Sequence, residues 1–253
     1  MKAFLRKEWM EMTRTGRLLI LTVIFLLFGI MNPAIAKLTP WLMDMMKESI
    51  AESGLNVGTV TVNAMSSWTQ FYKNAPMALI AFVLMSCGVL ANEYQKGTLV
   101  QVVTKGLSRR KVFASKLITV FGSWTAMYLL YFGVSYGYTV YFWGDDKVEN
   151  LFSGCVMYWL FGIFVLAFLM LFSAAANSGG QVLLGTGLVV FAVMLLNYIP
   201  KLQKFLPFRL TDGLQLSTGA LQTGDFSGAV ITACVCVVAC VTIGAVIFDR
   251  KML

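Results

Sequence analysis

The stretch LLILTVIFLLFGIMNPAIA, residues 18–36, decides the fold. It carries no ionisable side chain, and about 20 mostly apolar residues are enough for a helix to cross a bilayer core about 30 Å thick. Lipid offers the backbone no hydrogen-bond partner, so a run of this kind crosses the membrane as a helix. The sequence therefore predicts a first transmembrane helix at 18–36.

Similar apolar runs recur along the rest of the chain. The protein is 58% hydrophobic, above the roughly 45–50% that is usual for soluble domains. Six spans of about 20 residues use about half of the chain, which leaves no room for a soluble catalytic domain of ordinary size. We predict an all-α integral membrane protein whose six-span domain covers 18–253. The further spans are expected at 76–92, 117–140, 152–174, 181–199 and 228–248.

The first residues form a basic segment with one apolar face. Leu5, Trp9 and Met12 recur at helical spacing, and charged residues occupy half of the remaining positions. Such a helix is expected to lie in the membrane interface with its aromatic face in the lipid. We therefore predict an N-terminal interfacial (elbow) helix at 1–17. The alternative is that these residues are only the start of the first span.

The distribution of charge predicts the orientation of the chain. The net charge is +8, and many of the basic residues stand at the ends of apolar runs, which favours a membrane role over nucleic-acid binding. With the amino terminus inside, 13 of the 20 Lys and Arg residues fall on the inner side. We therefore expect a multi-pass protein of the cytoplasmic membrane with both termini in the cytoplasm and external loops at 37–75 and 200–227.

The reactive side chains argue against an enzyme. The chain contains no histidine, so the commonest general base and metal ligand is missing. The five cysteines all fall within apolar runs, where they are expected to behave as small hydrophobic residues. A membrane-embedded enzyme would need a cluster of such groups at one depth. We predict no catalytic residues and no metal ligands.

The polar segment 93–116 carries the most functional information. Gly97 suits a bend after the second span, Thr98 is an acceptable helix N-cap, and Leu99, Val102 and Val103 share one apolar face. A short helix with an apolar ridge and a basic rim suits docking into a groove of a soluble partner. The alternative is an ordinary basic inner loop that only sets the topology.

This segment resembles that of the ABC-2 family of transporter permeases. In that family the second span is followed by an acidic residue, a Gly-Thr-Leu step, a short coupling helix and a Ser-Arg then Lys signature. The six-span plan extends the resemblance over essentially the whole chain. It implies a short cytoplasmic coupling helix within 93–116 that contacts the ATPase. The matching positions are Glu93, Gly97, Thr98, Leu99, Ser108, Arg109 and Lys116.

The resemblance also implies the partners. It points to a cytoplasmic ABC ATPase dimer and to a second permease subunit, either a copy or a related chain, all acting at the lipid bilayer without nucleic acid. The chain has no G-x-x-x-x-G-K-[ST] phosphate-binding loop. We therefore expect it to bind no cofactor itself, and ATP and Mg²⁺ to bind the partner ATPase.

The expected function is ATP-driven export of an amphipathic substrate, such as a peptide or an antibiotic, across or out of the membrane. The alternative is a secondary carrier or channel, which predicts charged residues inside the spans; few are found there. Four polar residues of the spans are candidates for the substrate path, although hydrogen bonding between helices explains them equally well. They are Tyr128, Tyr131, Ser135 and Asn197.

Overall fold

A computed structural model describes residues 2–52, 62–95, 97, 108–144 and 148–251. Within these residues the regular structure is entirely helical. The helices are α1 (Lys2–Arg14), α2 (Arg17–Glu52), α3 (Ala64–Ser86), α4 (Ala91–Gln95), α5 (Arg109–Trp143), α6 (Leu151–Ala175), α7 (Gly179–Leu196), α8 (Pro200–Gln203), α9 (Gly213–Ser217) and α10 (Ser227–Arg250), with 3-10 turns at Pro207–Thr211 and Thr223–Phe226.

Six of these stretches are long and apolar enough to cross a membrane. The prediction of an all-α membrane protein with six spans is therefore confirmed. The predicted N-terminal helix is present as α1, which Gly16, in a left-handed conformation, separates from α2. The spanning stretches are Arg17–Met45, Ala64–Gln95, Arg109–Trp143, Leu151–Ala175, Gly179–Leu196 and Thr223–Arg250.

The second and third helices are longer than the predicted spans. The segment 37–75 was expected to be a loop, yet α2 continues through Pro33 and Pro40 to Glu52, and α3 already begins at Ala64. The first turns of α3 are helical because Trp68 and neighbouring residues are buried against the bundle and because the Asn63 side chain caps the helix. Residues 53–61 of this predicted loop lie outside the described residues.

Helix α6 occupies the centre of the bundle. It packs against α10, α7, α9 and α5, and it is the most buried of the six spans. Helices α7 and α10 cover its outer side and expose aliphatic side chains such as Leu184, Leu188 and Val235. Such faces suit contact with lipid tails.

The segment 200–227, predicted to be an external loop, forms a series of short helices. They pack against α6 and α10. At one point α9 approaches α6 so closely that a Cβ atom on Gly213 would lie 2.8 Å from the Gly154 carbonyl oxygen. The absence of a side chain at both positions therefore permits this contact.

A chain of hydrogen bonds fixes α2, α3 and α5 relative to one another. The buried Asn32 donates to Tyr131 Oη at 2.9 Å and to Ser135 Oγ at 3.0 Å, and it accepts from Asn74 at 2.8 Å. Tyr131 in turn donates to the Phe71 carbonyl oxygen at 2.8 Å. Each such bond between membrane helices contributes about 0.6 kcal/mol, and together they select one register for the three helices.

The contact of Trp124 with Gly162 joins α5 to α6. The Trp124 ring is fully buried, and its indole N–H donates to the Trp159 carbonyl oxygen at 3.3 Å. A methyl group on Gly162 would overlap this ring. The helices can pack at this distance only because residue 162 has no side chain.

We expect Gly162→Ala to lower the free energy of unfolding by about 1–3 kcal/mol, the usual cost of overpacking a core. Thermal unfolding of the purified protein in detergent measures the effect. Gly133→Ala on α5 is the matched control, because its methyl group would meet nothing within 4 Å and alanine is the better helix former. Equal stability of the two variants would contradict this account of the α5–α6 contact.

Candidate functional site

A buried lysine joins three helices at the end of the bundle that carries both chain termini, which we call the terminal face. Lys116 lies near the start of α5, and its side chain is 2% exposed. Its ammonium group donates to Glu8 Oε2 of α1 at 2.8 Å and to Glu93 Oε1 of α4 at 2.9 Å. Lys7 adds a second cation, 3.2 Å from Glu8 and 3.3 Å from Glu93. We call these four residues the Lys116 network.

The charges of the network neutralise one another. Burial alone lowers the pKa of Lys7, but its hydrogen bond to Glu11 and the charges of Glu93 and Glu8 outweigh burial, so that the pKa is raised. Burial likewise raises the pKa of Glu11, and the hydrogen bond and charge of Lys7 reverse the effect and lower it. The charged forms of Lys7 and Glu11 therefore stabilise each other.

Three carboxylates lie close enough together to resemble a metal site. Single oxygen atoms of Glu8, Glu11 and Glu93 lie within 4.8 Å of one another. The ammonium groups of Lys7 and Lys116 already bond to these carboxylates. The arrangement is therefore an ion-pair network in which lysines supply the positive charge that a metal ion would otherwise bring.

A cavity of 410 Å³ opens beside the network. The ends of α1 and α3 and the starts of α2 and α5 enclose it. Its lining is both charged and apolar, so the ion pairs are not sealed by tight packing on this side. The lining includes Met12, Arg17, Leu21, Asn92 and Ser123 together with the network itself.

A second set of contacts connects the end of α10 to the rest of the terminal face; we call it the C-terminal tie. Arg110 pairs with Asp249 at 2.9 Å, and Arg109 donates to the backbone carbonyl oxygens of Asp249 and Lys251. Lys251 donates to the last carbonyl oxygens of α6 at 2.8–3.4 Å and lies over the Tyr94 ring, 4.1 Å from its centroid. A cation at the carboxyl end of a helix is stabilised by the helix dipole.

The network and the tie flank the predicted coupling segment. The chain leaves α4 after Gln95 and returns at Ser108. Gly97 has φ of +64°, which agrees with the predicted bend, and Ser108 stands at the N-cap position of α5 without a side-chain capping bond. The predicted short helix with Thr98, Leu99, Val102 and Val103 lies outside the described residues, so it stays a prediction.

The structure brings two of the predicted residues together. Glu93 and Lys116, chosen separately by their match to the family pattern, form an ion pair. Arg109 instead belongs to the C-terminal tie. The sequence analysis missed Glu8. Glu8 stands four positions after Phe4 and therefore on the same, buried face of a basic helix. An acidic residue at such a position is a recognisable signal of a buried ion pair.

The predicted apolar face of α1 lies only partly against the bundle, where Met12 lines the cavity beside the network. Trp9 is exposed, whereas Leu5 and Met12 are half-buried. The buried side of α1 carries Phe4 and Glu8 instead. The insertion of the Trp9 face into the membrane interface stays a prediction.

Three of the four proposed substrate-path residues hold helices together. Tyr128 and Tyr131 are buried, and Tyr128 donates to the Cys155 carbonyl oxygen at 2.8 Å. Ser135 donates to the Gly29 carbonyl oxygen at 3.1 Å. The fourth, Asn197, lies at the carboxyl end of α7, where its backbone N–H bonds within that helix. A part in transport stays a prediction for all four.

We expect Lys116→Met to lower the free energy of unfolding by about 3–5 kcal/mol, because it leaves two buried carboxylates without their main counter-charge. Lys111→Met, at an exposed position of the same helix, should change it little. Chemical unfolding in detergent measures both variants. The triple variant Glu8→Gln, Glu93→Gln, Lys116→Met should recover most of the loss, since no charge is left unpaired; failure to recover it would contradict the electrostatic account.

The comparison with protein families agrees with this geometry. The family model described as ABC-2 family transporter protein matches residues 3–253, nearly the whole chain. No curated protein matches the chain at a significant level. Membership of this family makes the chain a membrane transport subunit of an ABC transporter and implies an ATPase partner. The chain therefore belongs to the ABC-2 family of transporter proteins.

Proposed function

We propose that this chain is the permease subunit of an ATP-driven exporter. It moves an amphipathic substrate, such as a peptide or an antibiotic, across or out of the cytoplasmic membrane. A separate ATP-binding subunit supplies the energy. Membership of the ABC-2 family supports this proposal, and the observation that carries it is the Lys116 network, which stands directly beside the predicted coupling segment.

The network supplies the mechanical link that such an exporter needs. Closure of the ATPase dimer displaces the coupling segment. Because Lys116 holds both Glu8 and Glu93, the displacement moves α1, α4 and α5 together. Breaking a buried pair costs several kcal/mol, so the three helices do not slide past one another. The C-terminal tie then passes the movement to α6 and α10.

The partners are an ABC ATPase dimer and a second permease subunit, a copy of this chain or a related one. The ATPase binds ATP and Mg²⁺. It docks on the terminal face, which lies in the cytoplasm according to the excess of Lys and Arg near the span ends on that side. The second permease forms the substrate passage together with this chain.

The interior of the spans favours an ATP-driven exporter over a secondary carrier. In the described part of the chain the buried charged side chains are Glu8, Glu93, Lys116 and Arg209. These residues stand near the ends of spans or between spans. The polar groups deeper in the bundle, such as Asn32 and Tyr131, are neutral and hydrogen-bonded. A proton or sodium pathway usually needs ionisable groups at that depth.

The transmission role predicts that Glu8→Gln lowers the amount of substrate exported per ATP hydrolysed while the ATPase stays bound. Glu11→Gln is the matched control, because its side chain is 42% exposed and contacts only Lys7 of the network. Copurification measures binding of the ATPase, and ATP-dependent uptake into inverted vesicles measures transport.

Export should stop with a hydrolysis-deficient ATPase. Continued export without hydrolysis would instead favour a carrier or channel.

The orientation has its own test. In a variant without the five native cysteines, single cysteines replace Ser108 at the terminal face and Thr218 at the opposite face; both positions are exposed. A membrane-impermeant maleimide added to whole cells should label position 218 and not position 108. The reverse pattern would show that the terminal face lies outside.

A further inference from the structure

The opposite end of the bundle contains an aromatic cavity that the coupling mechanism does not use. It has a volume of 500 Å³ and lies between the start of α3, the end of α5 and the start of α6. We call it the distal cavity. Trp68, Tyr136 and Phe152 contribute aromatic surface to its lining, and Thr139 adds a hydroxyl group.

The aromatic rings belong to one packed cluster. Phe132 stands at its centre, with ring-centroid distances of 5.7 Å to Trp68, 5.9 Å to Tyr136 and 5.4 Å to Phe152. Exposure increases outward from 2% for Trp68 to 44% for Tyr136 and 69% for Phe152. The cluster therefore presents a supported aromatic surface rather than a single loose ring.

One carboxylate faces this surface. Glu149 is the only charged side chain among the described lining residues of the distal cavity. A neighbouring cavity of 530 Å³ shares Ala64, Val148 and Glu149 with it, and Glu149 is again the only charged side chain among the described lining residues. Aromatic surface beside a carboxylate complements a cation that carries apolar groups, because the faces of the rings also attract positive charge.

The amino terminus of α6 partly opposes the negative potential of Glu149 in the distal cavity. Helix α6 begins at Leu151, and its first turn carries a positive partial charge of about half a unit. The full negative charge of Glu149 exceeds it.

We propose that the distal cavity binds amphipathic cations, with the positive group beside Glu149 and the apolar groups against Phe152 and Tyr136. This inference rests on the proposed function for its biological meaning, since it gives the exported substrate a positive charge. Tyr and Trp also gather at membrane interfaces as anchors. Trp68, however, is turned inward and almost fully buried, and a carboxylate beside the rings is not required for anchoring.

Two probes of equal shape and opposite charge test the proposal. Tetraphenylphosphonium and tetraphenylborate are each equilibrated with the purified chain in detergent, without the ATPase, and binding is measured by dialysis. Glu149→Gln should weaken phosphonium binding by about fivefold, the effect of one partly exposed ion pair. Phe152→Ala should weaken it similarly through loss of the ring contact. Glu149→Gln should not weaken borate binding, because an anion gains nothing from the carboxylate that this change removes.

Asp44→Asn is the matched control, because Asp44 is another exposed acidic residue and lines neither cavity. It should leave binding of both probes unchanged. Unaltered phosphonium binding by both Glu149→Gln and Phe152→Ala, in variants with unchanged thermal stability, would overturn the proposal. So would equal losses of phosphonium and borate binding on Glu149→Gln. The binding measurement needs no ATP, so a negative binding result does not contradict ATP-driven export. Selective phosphonium binding in a protein that shows no ATP-driven export would contradict only the proposed function.

Discussion

An ammonium group taken out of water must find its counter-charge within the protein, and the terminal face is organised around that constraint. Lys116 is almost completely buried, and two carboxylates from two other helices meet it. Its burial is tolerable only while α1, α4 and α5 stay together, because the loss of either partner leaves an uncompensated charge in a poorly solvated site. The position of α1 on the bundle follows from this requirement as much as from its apolar residues.

The remaining helices fall into two groups by their contacts. Helices α2, α3 and α5 pack side by side and share the hydrogen bonds around Asn32, whereas α6 packs mainly with α10 and α7. Trp124 against Gly162 joins the two groups within the bundle, and the C-terminal tie joins them at the terminal face. The hydrogen bond from Tyr128 to the Cys155 carbonyl oxygen joins them as well. The Lys116 network lies in the first group, so a force applied to it reaches the second group through contacts of this kind.

The sequence predicts the spans well because lipid imposes a simple rule on long apolar runs. The prediction fails where tertiary packing extends a helix beyond its apolar run. The first turns of α3 are polar enough to resemble a loop, but the burial of Trp68 holds them in the helix. Glu93 and Lys116 are recognisable separately, but their pairing depends on how the helices fold together. The role of Glu8 and the distal cavity are harder still to predict from the sequence. The residues that contact Glu8, and those that line the cavity, come from well separated parts of the chain.

The two sets of charged contacts at the terminal face differ in how much water reaches them. Arg110 is 75% exposed where it pairs with Asp249, so dissolved ions compete for both groups and screen them over a Debye length of about 10 Å at 0.1 M ionic strength. Lys116 and Glu8, by contrast, are only 2% and 7% exposed, so dissolved ions weaken their pairing far less. Ionic strength therefore loosens one connection and spares the other, and concentrated salt should relax the hold of Asp249 on α5 while α1 keeps its place.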